Sequence, residues 1–327
     1  MNNIATLQAA ADLLRSGEVV AFPTETVYGL GANALDETAC AKIFALKGRP
    51  ADNPLIVHIA DLAMLDQIAE ATPMALRLAD AFWPGPLTLV LPKKPHIPDI
   101  VSAGLPTIGV RLPSHPVARA LIRAAVCPIA APSANLSGRP SPTQAGHVRD
   151  DFIDKLPLIL DGGPVEIGIE STVIDVSGAQ PVLLRPGYIT IDQLADALQC
   201  DVGYATGKDA LRPASPGMKH QHYSPKAELK LAASPAEVLK LHQTLTKKHG
   251  AKPLSILTEH PDQAWAADLD VFLIAKLGDL ETYARNLFAA LRYADMNGYT
   301  SIIMETVPAQ GLGAAIMNRL DKATHIS

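Results

Sequence analysis

The sequence predicts an α/β protein of two domains, a larger one around a twisted mixed sheet and a smaller one around a parallel sheet. Three observations lead there. The chain has 327 residues, more than one domain of roughly 100–200 residues accounts for. Prolines are unevenly spread, with 23 of the 27 in residues 1–225 and four in residues 226–327. Beyond residue 226, short β-like runs alternate with helical patterns, as in a doubly wound sheet. Hydrophobic residues make up 48% and charged residues 19%, so the apolar surface suffices for real cores and the chain is not a disordered one.

In the front portion, apolar residues recur at helical spacing over 6–16, 38–46, 73–82, 116–125 and 191–198. Short runs of β-branched and apolar residues predict strands at 19–22, 55–59, 87–91, 108–112, 129–131, 158–160, 172–175 and 182–184. In the back portion strands are expected at 227–232, 254–258, 271–276 and 301–306, with a long helix over 280–296. Between the two portions lies Arg212-Pro-Ala-Ser-Pro-Gly-Met-Lys-His-Gln-His-Tyr-Ser-Pro225, which has no apolar periodicity and reads as an extended, semi-rigid connection. The expected domains are therefore 1–205 and 227–327, joined by a linker over 206–226.

Charge and cysteine usage narrow the class. The front holds 17 Lys+Arg against 22 Asp+Glu and the back 11 against 11, so the net charge of −5 belongs to the front. That argues against a general nucleic-acid binder, but not against a local basic pocket for a phosphorylated small molecule. No run of about 18 apolar residues exists, so no transmembrane helix is expected. Residues 1–17 read as an amphipathic helix with Asp12 and Arg15, without a basic n-region or cleavage site. Cys40, Cys127 and Cys200 stand far apart and form neither a C-x-x-C nor a zinc pattern. The expectation is a soluble, cytoplasmic protein with no membrane contact and no dedicated metal site.

Several motifs fall short. Gly29-Leu-Gly31-Ala-Asn-Ala34 fits G-x-G-x-x-A but lacks the acidic strand end about 20 residues on. Gly311-Leu-Gly313 reads as a tight strand-to-helix turn, and His220 and His222 have too few companions for a metal. A P-loop, H-E-x-x-H and G-x-S-x-G are all missing from the sequence.

Four segments carry chemistry instead. In Phe22-Pro-Thr-Glu-Thr-Val-Tyr-Gly-Leu-Gly31, hydroxyls and glycines suit a small polar ligand. In Lys47-Gly-Arg49, a compact ammonium and a forked guanidinium flank a glycine, with Asn53 and His58 following; a triphosphate or a carboxylate is the natural guest. The strand Thr107-Ile-Gly-Val-Arg111 buries a cation that needs a partner, either a ligand carboxylate or an internal Asp or Glu. It is followed by Ala131-Pro-Ser133-Ala-Asn135, with Arg139 and Ser141 beyond. The fourth segment runs from Asp161 through Glu170-Ser171-Thr172 to the lone Arg185. Together they describe a site rich in cations and hydroxyls without a nucleophile and its base.

At these residues the sequence resembles the threonylcarbamoyl-AMP synthase family, the YrdC/Sua5 proteins of tRNA threonylcarbamoyladenosine synthesis. Residues 1–205 look like the YrdC-like catalytic domain. Ser-Pro-Gly-Met-Lys and His-Tyr-Ser-Pro are similar to the linker of the longer Sua5 type, and the remainder resembles its Rossmann-like C-terminal domain. The family's Lys-x-Arg and Ser-x-Asn elements stand as Lys47-Gly-Arg49 and Ser133-Ala-Asn135.

The resemblance implies formation of threonylcarbamoyl-AMP and pyrophosphate from L-threonine, bicarbonate and ATP, with Mg²⁺ on the triphosphate. Lys47 and Arg49 would be catalytic. Thr26, His58, Arg111, the Ala131 backbone and Ser171 would hold L-threonine. Arg49, Asn53, Thr107, Ser133, Asn135, Ser141 and Arg185 would contact the nucleotide, and His222 or Tyr223 would belong to a linker lid. The implied partner is the threonylcarbamoyl transferase complex acting on adenosine 37 of tRNA, with direct tRNA binding weak or indirect. Two alternatives use the same fold: an RNA-binding module, which the acidic front disfavours, and a carbamoyl transferase, whose acylphosphatase and Cys-rich segments this chain lacks.

Overall fold

The computed structural model describes residues 4–205 and 223–324. The chain forms two compact units, one of Met1–Ser137, Ser141–Glu166 and Glu170–His220, the other of Gly138–Pro140, Ile167–Ile169 and Gln221–Ser327.

The first unit is built on a nine-stranded mixed sheet. Its strands are β1 (Val20–Phe22), β2 (Gly29–Asn33), β3 (Ile56–His58), β4 (Leu87–Pro92), β5 (Thr107–Arg111), β6 (Ile129–Ala131), β7 (Thr172–Asp175), β8 (Val182–Arg185) and β9 (Gly203–Tyr204), in the order β1-β2-β6-β3-β5-β4-β7-β8-β9. Pairs β3–β5, β4–β7 and β8–β9 are parallel and the others antiparallel. Among the described residues eight helices accompany it: α1 (Ile4–Arg15), α2 (Glu37–Lys47), α3 (Leu62–Ile68), α4 (Pro73–Phe82), α5 (Asp99–Ser102), α6 (Pro116–Ala125), α7 (Ala145–Phe152) and α8 (Ile191–Leu198).

Local chemistry explains their ends. Asp36 accepts from the Ala39 amide at the start of α2, and Thr190 forms a reciprocal capping box with Gln193 at α8. Pro73 and Pro116 occupy first helical turns, where a missing N–H costs nothing.

The structure corrects the expected elements at several points. Residues 158–160 are not a strand: Ile159 makes an isolated parallel bridge to Ala21, because Pro157 and the Asp161-Gly-Gly turn leave room for one register position. The glycine-rich segment 29–33, not among the expected strands, is β2. A Cβ on Gly31 would stand 2.6 Å from Ile129 and 2.7 Å from Phe22, so glycine is required by packing. Helices α3, α5 and α7 and the two-residue β9 were not legible, being short or weakly periodic.

The second unit contains a four-stranded parallel sheet of β10 (Glu228–Ala232), β11 (Leu254–Glu259), β12 (Asp270–Lys276) and β13 (Ser301–Glu305), in the order β10-β13-β11-β12. Its helices are α9 (Pro235–His249), α10 (Leu280–Met296) and α11 (Leu312–Thr324). The connections reverse direction after β12, so right-handed crossovers place α9 on one face and α10 on the other. The strand-helix alternation and the long helix 280–296 stand as expected. Among the described residues, no helix is long and apolar enough to cross a membrane.

Candidate functional site

Side chains alternate across the nine-stranded sheet, and its two faces differ in chemistry. Leu30, Val57, Leu89, Val110 and Ile174 point to one face, in an apolar cluster with α2, α3, α4, α7 and α8. On the other, Phe22, Ile129 and Ala131 pack with α1 and α6. Farther along that second face the parallel register aligns Ile56 with Gly109 and His58 with Arg111. There the buried side chains become polar: His58, Arg111, Thr88, Ser171 and Arg185.

Arg111 is 3% exposed and engaged on three sides. Its Nε donates to Gly85 O at 3.2 Å, its Nη1 to Thr26 Oγ1 at 2.8 Å, and its Nη2 stands 2.6 Å from Glu25 Oε1. The internal carboxylate left open by the sequence is thus Glu25. Thr24 donates to Val27 O at 2.6 Å, so the 2.8 Å contact between Thr24 and Thr26 is donated by Thr26. The hydroxyl of Thr26 is thereby oriented, accepting from Arg111 and donating to Thr24. Burial pushes the Glu25 carboxyl up, but the Arg111 charge, joined by hydrogen bonding to Arg111 and to the backbone amides of Glu25 and Ser114, holds the group below its usual value.

His58 is buried, edge-on to Phe22 at 5.9 Å between centroids. Burial, reinforced by the Arg111 charge, pushes its pKa down to about 3, so the ring is neutral at physiological pH. Its Nδ1 is closed to solvent and without a hydrogen-bond partner, as is Asn53 Oδ1. Such orphaned groups are rare in protein interiors and mark places where polar chemistry is not purely structural.

Ser171 immediately precedes β7. Its Oγ lies 2.8 Å from Thr88 Oγ1 and accepts from Arg185 Nη2 at 3.1 Å, while Arg185 Nε donates to Ser171 O at 3.1 Å. Ser171, expected on threonine, and Arg185, expected on the nucleotide, are therefore in direct contact.

Lys47 ends α2, and Gly48 follows at φ +60°, closing the helix with Arg49 N bonded to Phe44 O at 3.0 Å. The ammonium of Lys47, 3% exposed, donates to Ser133 O at 2.6 Å and to Asn135 O. Arg49 turns the other way, to Asn53 O at 3.3 Å and Pro54 O at 3.0 Å. The two cations do not share one turn: Lys47 braces the Ser133–Asn135 loop, where Ser133 donates to Asn135 Oδ1, and Arg49 braces residues 53–54.

Asn53, Thr107 and Ser133 lie toward one end of β3, β5 and β6, whereas His58 and Arg111 lie toward the other, roughly 13 Å along a strand. Ala131, level with Ile56, stands between. Ser141 donates to Glu170 Oε1 at 2.5 Å, both buried.

Thr88 and Glu25 were missed as site residues. Thr88 offers only a hydroxyl inside an apolar strand, and Glu25 is visible in the sequence without its partner 86 residues away. Tyr223 is 5% exposed and tilts against Phe288 at 5.1 Å, within the second unit. His222, the other lid candidate, and most of the linker lie outside the described residues. Among the described residues, no three His, Cys, Asp or Glu side chains are grouped to hold a metal ion.

A mixed sheet with one ionic, hydroxyl-lined face and a second, parallel sheet define the class of this α/β protein. The family model described as telomere recombination, for Sua5, YciO and YrdC proteins, matches residues 12–187, and that of the threonylcarbamoyl-AMP synthase C-terminal domain matches 189–324. The chain is 46% identical to the threonylcarbamoyl-AMP synthase of Pyrococcus abyssi, over 97% of this chain and 94% of that one. It is 47% identical to the same-named protein of Bacillus subtilis, over 98% and 93%. The crystal structure of P. abyssi Sua5 complexed with L-threonine superposes with a TM-score of 0.86 at 46% identity, covering 97% of this chain and 94% of that one. The chain belongs to the Sua5/YciO/YrdC family, in its form with a Sua5 C-terminal domain.

Proposed function

We propose that this protein is a threonylcarbamoyl-AMP synthase, an adenylyl-transferring enzyme that converts L-threonine, bicarbonate and MgATP into threonylcarbamoyl-AMP, pyrophosphate and water. The observation that carries this reading is full-length likeness to a Sua5 protein crystallised with L-threonine, in a chain whose polar sheet face gathers Thr26, His58, Arg111 and Ser171.

Arg111 pairs with the substrate carboxylate. The proton of Thr26 is already given to Thr24, so this hydroxyl meets substrate as an acceptor. His58 contributes as a neutral ring, and the Ala131 backbone and Ser171 complete the amino-acid side. Arg49, Asn53, Thr107, Ser133, Asn135, Ser141 and Arg185 form the nucleotide side, with Lys47 holding the Ser133–Asn135 loop.

The free amine attacks the carbon of bicarbonate with loss of water, or of CO₂ with loss of an amine proton to solvent, to form a carbamate. A carbamate oxygen then attacks the α-phosphate as pyrophosphate leaves. Neither step needs an enzyme nucleophile; both need alignment and stabilisation of negative charge. The contact between Ser171 and Arg185 is where the two substrates would meet. Mg²⁺ would arrive with ATP, held by phosphate oxygens and water.

Residues 1–205 serve as the catalytic domain, 206–226 as the linker and 227–327 as the C-terminal domain. The product, a labile acyl phosphate, would pass to the threonylcarbamoyl transferase complex that modifies tRNA.

Pyrophosphate release from ATP, measured with threonine and bicarbonate each present or omitted, tests the reading. Release is expected only with both, and much less with serine. Release indifferent to threonine would refute the assignment.

A further inference from the structure

The turn between β1 and β2 seals a carboxylate behind Arg111. Glu25 is 2% exposed, and its Oε1 stands 2.6 Å from Arg111 Nη2. Both Glu25 oxygens and Arg111 Nη2 are closed to solvent, so water cannot screen the pair. The remaining guanidinium nitrogens are fixed on Gly85 O and Thr26 Oγ1.

A lone guanidinium at the end of β5 would draw in any carboxylate. With Glu25 beside it and His58 neutral, the three buried groups sum to zero charge. Inside a low-dielectric site that balance favours a guest carrying both charges over one carrying only the negative charge.

We infer that Glu25 is a positioning residue of the amino-acid site: it locks the Arg111 guanidinium and sets the preference for a zwitterionic amino acid over a carboxylate without an amine. The inference rests on Arg111 receiving the substrate carboxylate, as proposed above. It has a chemical purpose, since a 3-hydroxy acid lacking the amine offers the same carboxylate and hydroxyl but cannot form a carbamate.

The test compares binding of L-threonine and 3-hydroxybutanoate, which is threonine without its amine, to the full-length protein in the absence of bicarbonate. ATP binding serves as the control for folding. Wild type is expected to prefer threonine by about tenfold or more, and Glu25→Gln to lose most of that preference as 3-hydroxybutanoate gains relative to threonine. Glu25→Asp, which keeps the charge but withdraws it by one methylene, should fall between them, and it carries the test alone if Glu25→Gln fails to bind ATP.

Parallel weakening of both ligands with the ratio unchanged would overturn the inference and leave Glu25 a purely structural pair. A ratio unchanged in Glu25→Asp would do the same where only that variant folds. A wild type that binds ATP but neither small acid would instead sink the amino-acid reading of the site, a distinguishable result.

Discussion

Glu25 and Glu228 are both carboxylates paired with cations, yet they stand in opposite environments. Among the described residues Glu25 is ion-paired with Arg111 alone, and the two side chains are 2% and 4% exposed. Glu228, at the start of β10, meets three basic side chains: Lys230 at 3.4 Å, Lys248 at 2.5 Å and His249 at 2.8 Å, with the lysines about half exposed. Water can replace any partner of Glu228 and none of Glu25. A buried pair is costly to break and contributes little net stability when intact, whereas a surface cluster is weakly stabilising and forgiving. The sealed pair is therefore better explained by what it does for a ligand than by what it does for the fold.

The largest break in this comparison is Arg111→Met. Stranding the Glu25 charge should cost about 3–5 kcal/mol in urea unfolding. It should also lower kcat/KM for threonine by roughly 100-fold or more, corresponding to about 2.7 kcal/mol of transition-state stabilisation. The double variant Glu25→Leu/Arg111→Met should recover most of the stability and none of the activity. Stability and activity recovering together would contradict a ligand-directed role for the pair.

Ser171→Ala comes next. It removes the hydroxyl shared by Thr88 and Arg185, so the KM for threonine should rise by about tenfold with a stability cost near ~1 kcal/mol. An unchanged KM would place substrate elsewhere on the face.

Glu228→Gln sharpens the other half of the comparison, with an expected cost of about 1 kcal/mol or less that shrinks further at high salt, and with pyrophosphate release intact. Hydrogen bonds from Lys248 and His249 pull this carboxyl down to about 2 from its ordinary 4.5. Its stabilisation is thus fully present above pH 4.5 and lost as pH falls toward 2, so wild type and variant should converge in acid melts.

The smallest expected effect is a flat line. Because His58 stays neutral down to about pH 3, the threonine KM should show no inflection near 6.5, the pKa of an ordinary histidine. The unfolded chain does take up that proton, so the same residue makes stability decline as pH drops from 6.5 toward 3. An inflection at 6.5 that disappears in His58→Gln would show the ring to be charged in the site.

Much of this could be read from residues in order. The back unit was the more legible, because each parallel strand is a short apolar run set off from a longer helical period. The front unit was harder: three of the five residues of β2 are glycine or alanine, and its strand character comes from Phe22 and Ile129 closing on Gly31. The segment 158–160 has strand composition but only one register position available to it. In the site, the groups of chemically unusual residues were visible. Their partners were not, as Lys47 meets Ser133 and Asn135 across a separation of 86 and 88 residues.

By itself, then, the sequence determined the α/β class, the two portions, most strand and helix positions and the family, since periodicity, composition and short motifs are local properties of a chain. Tertiary structure alone decided that Arg111 pairs with Glu25, that Lys47 and Arg49 diverge, and that Ser171 sits between Thr88 and Arg185. The strand order β1-β2-β6-β3-β5-β4-β7-β8-β9 brings those residues together, and no local preference encodes it. The order follows from burying one apolar face completely while half of the other is kept polar, a balance struck over the whole sheet at once.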